Sequence, residues 1–177
     1  MHKHHKQVLS VTAAAVCGAA YAVLTLILAP ISYGAIQFRV SEALCILPFF
    51  APCTSWGLFI GCLAANLLTG NVFDVVFGSL ATLLAAWLSA FIGKRGRSTP
   101  YQLAACLPPV LFNAVIVGAV ITKAYNGISI AAKPAVFALN ALQVGAGELG
   151  VMLIIGFPLM RYLGKQKFFR EFTEKIS

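Results

Sequence analysis

Apolar residues occupy this chain in long blocks separated by short polar breaks. Residues 8–29 form the first block, about 33 Å of helix at ~1.5 Å per residue, enough to cross a bilayer before Pro30 stops it. Residues 72–92 and 102–122 make two further spans, and 135–163 suits a longer, tilted one. Between them, 41–68 is interrupted by Pro48 and Pro52, and each half is shorter than a full span. The pattern there predicts two short helices, 41–51 and 54–69, turning at "APCTS". The whole reads as an all-α membrane protein: six transmembrane helices in a single integral membrane domain over 1–177.

The cations follow the breaks. Lys3 and Lys6 precede the first block, Lys94, Arg95 and Arg97 fill the central break, and Arg161, Lys165, Lys167, Arg170 and Lys175 follow the last block. Ten of the thirteen basic residues therefore flank apolar segments, and the positive-inside rule puts all three clusters in the cytoplasm. An even number of crossings must then separate the first two clusters, which requires 41–51 and 54–69 to be two spans. Both termini fall inside. Three connections fall outside: residues 31–40, "TGNVFD", and "KAYNGISIAAK".

Composition agrees, with 60% hydrophobic and 10% charged residues in 177. Six spans leave no room for a soluble catalytic or nucleotide-binding domain, so energy must come from another chain or an ion gradient. The net charge of +8 is explained by the flanking clusters and does not indicate nucleic acid. The first block is too long for the h-region of a signal peptide. His2, His4 and His5 read as a solvated basic terminus, so no metal site is expected. Cys17, Cys45, Cys53, Cys62 and Cys106 form no CxxC pair and read as small buried fillers.

No histidine lies beyond His5, which rules out Ser-His and Cys-His nucleophile pairs within the membrane. "GAGELG", Gly145 to Gly150, matches GxGxxG but lies in an apolar span with no strand before it, and "GKRGRST" lacks the spacing of a phosphate loop. Enzymatic activity is therefore not expected, and the chain is read as holding no cofactor. Small residues repeat at helical spacing in "TAAAVCGAA", where Ala14 and Gly18, or Ala15 and Ala19, form flat stripes, and again at Gly57 and Gly61. Such stripes allow close helix approach, within the bundle or with a partner.

More informative are the polar residues in apolar surroundings: Gln37, Arg39, Glu42, Asn66, Asn71, Asp74, Asn113, Asn140, Gln143 and Glu148. Charge near hydrocarbon is costly and tends to mark function. The spans gather Arg39, Glu42 and Asp74 at the outer side and let Glu148 point into the bundle beneath them. Two accounts stand side by side. Arg39 and Glu42 can pair at i, i+3 while the amides bridge helices, or the group can line a pocket for a small, polar, donor-rich solute.

The stretch "YGAIQFRVSEALCILPFF", with "NLLTGNVFDVVFGSLATLLAA", the alanine-rich first helix and the basic tail, closely resembles the QueT family of queuosine-precursor transporters. These are substrate-binding (S) components of energy-coupling factor transporters. The resemblance implies an S-component fold with its pocket at the outer side, covered by the connections after helices one, three and five. It also implies docking, through Ala14, Ala15, Gly18 and Ala19, on a transmembrane coupling subunit (EcfT-like) bound to two ATPases, with ATP and Mg on those partners. The implied substrates are queuine and other 7-deazaguanines. Glu42, Asp74 or Glu148 would accept from the ring N–H and amino donors, and Arg39, Asn71, Asn113, Asn140, Gln143 and Gln37 complete the candidate lining. Phe38, Phe73 or Tyr125 would stack on the bicycle. A solitary proton-coupled carrier using Glu148, an S component for another vitamin-like solute, and a subunit that binds no solute remain as alternatives.

Overall fold

The computed structural model describes residues 3–33, 37–68 and 72–176. Helix α1, Lys3–Ile27, is followed by a separate turn at Ala29–Ser32 that carries Pro30 at its start. Then come α2 (Val40–Phe50), α3 (Thr54–Leu67), α4 (Asp74–Arg95), α5 (Thr99–Tyr125) and α6 (Pro134–Lys165). An amphipathic helix α7, Lys167–Ile176, ends the described chain. No strand occurs among the described residues. Helices α1, α4, α5 and α6 are each long and apolar enough to cross a membrane, whereas α2 and α3 are shorter apolar helices.

Local chemistry explains where these helices depart from regular α geometry. Helix α1 begins five residues before its apolar block, because Lys3–Gln7 offers nothing that breaks a helix. Helix α2 opens as a 3-10 helix over Val40–Ile46 before a short α turn at Leu47–Phe50, where Pro48 sits in the first turn and needs no N–H partner. In α6 a wide π turn, Met152–Gly156, stands just before Pro158, whose missing N–H and bulky ring would strain a regular α turn. Further π turns occupy Asp74–Gly78 and Asn113–Val117.

Packing relies on small residues. A Cβ added to Gly57 would fall on the backbone of Ala14, and one added to Gly61 on the backbone of Gly18, so α1 and α3 meet at backbone contact. Larger side chains form the core at the opposite edge, where Ile46, Phe49, Phe50, Met152 and Met160 pack together. The outside is apolar, with Val8, Val16, Val23 and Ile27 of α1 and Trp56 and Ile60 of α3 all exposed. Only 17% of the most apolar window of α1 is buried, which suits a helix facing lipid or a partner.

The two ends of the bundle differ chemically. At one end lie the start of α1, the α2–α3 turn, the α4–α5 connection and α7. There Ser10 Oγ donates to the Ile176 carbonyl at 3.3 Å and Arg97 donates to the Phe49 carbonyl. All three basic clusters belong to this end. The buried Arg39, Glu42, Asp74 and Glu148 lie toward the other.

Candidate functional site

The chain enters α2 through a tight turn. Gln37 holds a left-handed φ of 46°, and the Arg39 N–H reaches the Gln37 carbonyl at 2.9 Å. The 3-10 geometry that follows eclipses side chains three apart, so Glu42 and Cys45 fall on one inward line with Arg39 at its head. All three are buried.

Glu42 is held from every side. Tyr21 Oη of α1 donates to its Oε1, Thr82 Oγ1 of α4 donates to the same oxygen at 3.0 Å, and Cys45 Sγ donates to Oε2 at 3.1 Å. Cys62 of α3 forms a second node. Its Sγ lies 3.4 Å from Tyr21 Oη and 3.3 Å from Thr82 Oγ1 and accepts from Asn66 Nδ2 at 3.4 Å, with Arg39 Nη1 at 4.0 Å. Asn66 also donates to the Asp74 carbonyl at 3.2 Å, and Gly78 leaves the room that the Asp74 carboxylate and the Asn66 amide occupy. Four helices thus meet at one polar network beneath the end of the bundle.

Arg39 is 2% exposed and has no carboxylate oxygen within 4.0 Å; Lys167–Glu171 is the ion pair seen among the described residues. Of the two accounts, the Arg39–Glu42 pairing does not form: Glu42 is turned to Tyr21, Thr82 and Cys45. The guanidinium lies 5.2 Å from the centre of the Tyr33 ring, within the field of Glu42 and Asp74, while its Nε and Nη2 have no hydrogen-bond partner. Across from it, Glu148 of α6 lies in the field of Glu42 and Arg39, with the Asn113 side chain beside its carboxyl. Its Oε2 is buried without a partner, as are both polar atoms of the Asn113 amide. Each such atom costs about 1–3 kcal/mol if nothing completes it. Buried polar atoms are nearly always satisfied, so a cluster of orphans on α2, α5 and α6 indicates a place that a bound molecule or water completes.

The remaining predicted residues divide. Phe38, next to Arg39 in the chain, lies against α6, where a Cβ on Gly150 would come within 3.2 Å of its ring. Gln37 is buried at the turn that leads into Arg39. Asn140 donates to Thr122 Oγ1 at 2.9 Å, two turns of α6 away from Glu148, and joins α5 to α6 instead of entering the carboxylate network. Gln143 is half-buried on the same helix. Phe73 is 51% exposed and stacks on Phe77, and Tyr125 is also exposed. Asn71 lies outside the described residues. On α1, Gly18 is buried beneath α3 while Ala15 and Ala19 face outward, so one small-residue segment serves both packing and an open face.

Sequence reasoning missed Tyr21 and Thr82, and it treated Cys62 as filler. The available signal was helical spacing. Tyr21 and Thr25 on α1, and Cys62 and Asn66 on α3, are i, i+4 pairs of polar-capable residues on otherwise aliphatic, inward faces.

The family described as QueT transporter matches residues 11–165, which run from the first turns of α1 to the end of α6. A relative from Lactococcus lactis subsp. cremoris (strain MG1363), named "Queuosine precursor transporter QueT", is 32% identical over 155 residues, covering 86% of this chain and 90% of the relative. No solved structure shows a significant match. The apolar helices and the length of the family match together make this a multi-pass membrane protein, and the chain belongs to the QueT transporter family.

Proposed function

We propose that this protein is the substrate-binding component of an energy-coupled transporter and captures a queuosine precursor, queuine or a related 7-deazaguanine, from outside the cell. The observation that carries the reading is the facing set of buried, unpartnered polar atoms: Arg39 Nε and Nη2, the Asn113 amide, and Glu148 Oε2. A deazaguanine supplies the missing partners. Its ring N–H and amino group are two adjacent donors for the Glu148 carboxylate, a charge-assisted pairing, and its ring carbonyl accepts from Arg39 or Asn113. Glu42 has both oxygens engaged by protein donors, so its part is to fix the floor of the site. Glu148 is the better candidate for direct contact. Phe38, beside Arg39 and packed against α6, would offer a ring face to the flat bicycle.

In this reading α2 and α3 cross the membrane as a short pair, both termini are cytoplasmic, and the polar network opens outward. The groove between α1 and α3, about 540 Å³ and lined by Ala15, Ala19, Ala22, Trp56 and Ile60, receives a transmembrane coupling subunit. Two ATPases bound to that subunit drive reorientation and inward release. Titration calorimetry of the purified chain with queuine, 7-cyano-7-deazaguanine and 7-aminomethyl-7-deazaguanine, with mass spectrometry of any solute retained through purification, tests the substrate. Failure of all three to bind a monodisperse preparation would sink it.

The buried Glu148 oxygen also suits a second reading, a proton-coupled carrier that works alone. Uncoupler-sensitive uptake by vesicles containing only this chain would establish that reading and remove the need for ATPase partners.

A further inference from the structure

At the basic end of the bundle, a cavity of about 460 Å³ opens between the α4–α5 connection, the end of α6 and α7. Arg97, Arg161, Lys165 and Arg170 line it, with Gln102 and a single acid, Glu174. No carboxylate lies within ion-pair distance of any of the four cations among the described residues. Arg97 is fixed in place, donating to the Phe49 carbonyl with its guanidinium 5.0 Å from the centre of the Phe49 ring. Arg97 so anchored and three exposed cations around one hollow repel each other unless an anion enters it.

The surroundings indicate which anion. Tyr101 and Leu103 flank Gln102, Tyr162 follows Arg161, and Phe168 lies in the first turn of α7; all four are exposed. Tyrosines and an amphipathic helix beside cations are the composition of a membrane–water boundary. The three basic clusters place this boundary on the cytoplasmic side, where anionic lipids concentrate and basic pockets between helices take their headgroups. A cavity of this size falls in the range of small-molecule sites. Arg170 and Glu174 lie beyond residue 165, where the family match ends, so part of the pocket lies outside the matched region.

We infer that this pocket binds the phosphate headgroup of an anionic phospholipid, which clamps α7 to the ends of α5 and α6. The inference is independent of which solute occupies the other end of the bundle.

Native mass spectrometry and thermal unfolding of the full chain in detergent, with phosphatidylglycerol or phosphatidylcholine added, test it. Phosphatidylglycerol should be retained and should raise the unfolding temperature more than phosphatidylcholine does. Neutralising one basic residue near a membrane surface weakens attraction about fivefold, so Arg161→Gln with Arg170→Gln should weaken phosphatidylglycerol binding by about 25-fold. Lys165→Gln alone, a milder change at an exposed position, should weaken it about fivefold. Lys94→Gln, outside the pocket, should leave it unchanged. Equal responses to the two lipids, or an equal loss in Lys94→Gln, would overturn the site. Inorganic phosphate that stabilises the chain as strongly as phosphatidylglycerol at the same concentration would overturn the lipid assignment.

Discussion

The Tyr21 hydroxyl donates to Glu42 Oε1, tying the middle of α1 to the first turn of α2 across a point with no exposure to solvent. Thr82 donates to the same oxygen. A hydrogen bond to a charged group is worth about 1.5–3 kcal/mol, so Tyr21→Phe should lower stability by an amount in that range. Because Tyr21 and Thr82 share one acceptor, Tyr21→Phe and Thr82→Val should be non-additive in a double-mutant cycle. Unfolding of the purified variants in detergent reads both effects. Additivity would mean the two donors serve separate acceptors.

Glu42 and Glu148 are both buried acids, yet their surroundings predict opposite phenotypes. Glu42 accepts three donors, so Glu42→Gln forces an amide N–H₂ against some of them and should destabilise the fold by about 2 kcal/mol or more. Glu148 has an oxygen with no partner, so Glu148→Gln should leave stability intact or raised while weakening deazaguanine binding at least about tenfold, the loss of one charge-assisted pairing. Calorimetry and unfolding on the same preparations separate the two. A Glu148→Gln variant of unchanged affinity would remove Glu148 from the site.

Arg39 presents a planar fork with two unpartnered nitrogens. Lysine keeps the charge but loses the fork, so Arg39→Lys should weaken binding by about tenfold or more while the chain still folds. Calorimetric affinity equal to that of the unaltered chain would show that Arg39 supports the network without touching the solute.

The long apolar helices were legible because hydrocarbon-facing surface needs continuous apolar runs, and α1, α4, α5 and α6 supply them. The convergence of Arg39, Glu42, Asp74 and Glu148 was legible for a related reason: so few ionic groups occur in the spans that each one stands out. The partners were not. Tyr21, Thr82 and Cys62 each bring one polar atom on a residue type common in apolar cores, and only the crossing of α1, α3 and α4 turns those atoms toward Glu42. Nor does the sequence announce that Val40–Ile46 winds as a 3-10 helix. That geometry sets Glu42 in line with Cys45, and the donors Tyr21, Thr82 and Cys45 engage both Glu42 oxygens, which leaves Arg39 without a carboxylate partner.

The two alanine positions on α1 offer the clearest separation of binding from coupling. Gly57 and Gly61 meet the backbone of α1 directly, so Gly57→Leu should disrupt the α1–α3 contact and unfold the bundle, since overpacking a tight contact costs about 1–3 kcal/mol or more. Ala15 and Ala19 face outward in the groove, where a larger side chain meets no atom of this chain's core. On the proposed function, Ala15→Leu with Ala19→Leu should therefore fold normally and bind deazaguanine with unchanged affinity in detergent, yet lose most uptake when the chain is reconstituted with the proposed coupling subunit and ATPases. Full uptake by the double variant would move the docking surface elsewhere, whereas uptake that never required partners would point to the proton-coupled reading through Glu148.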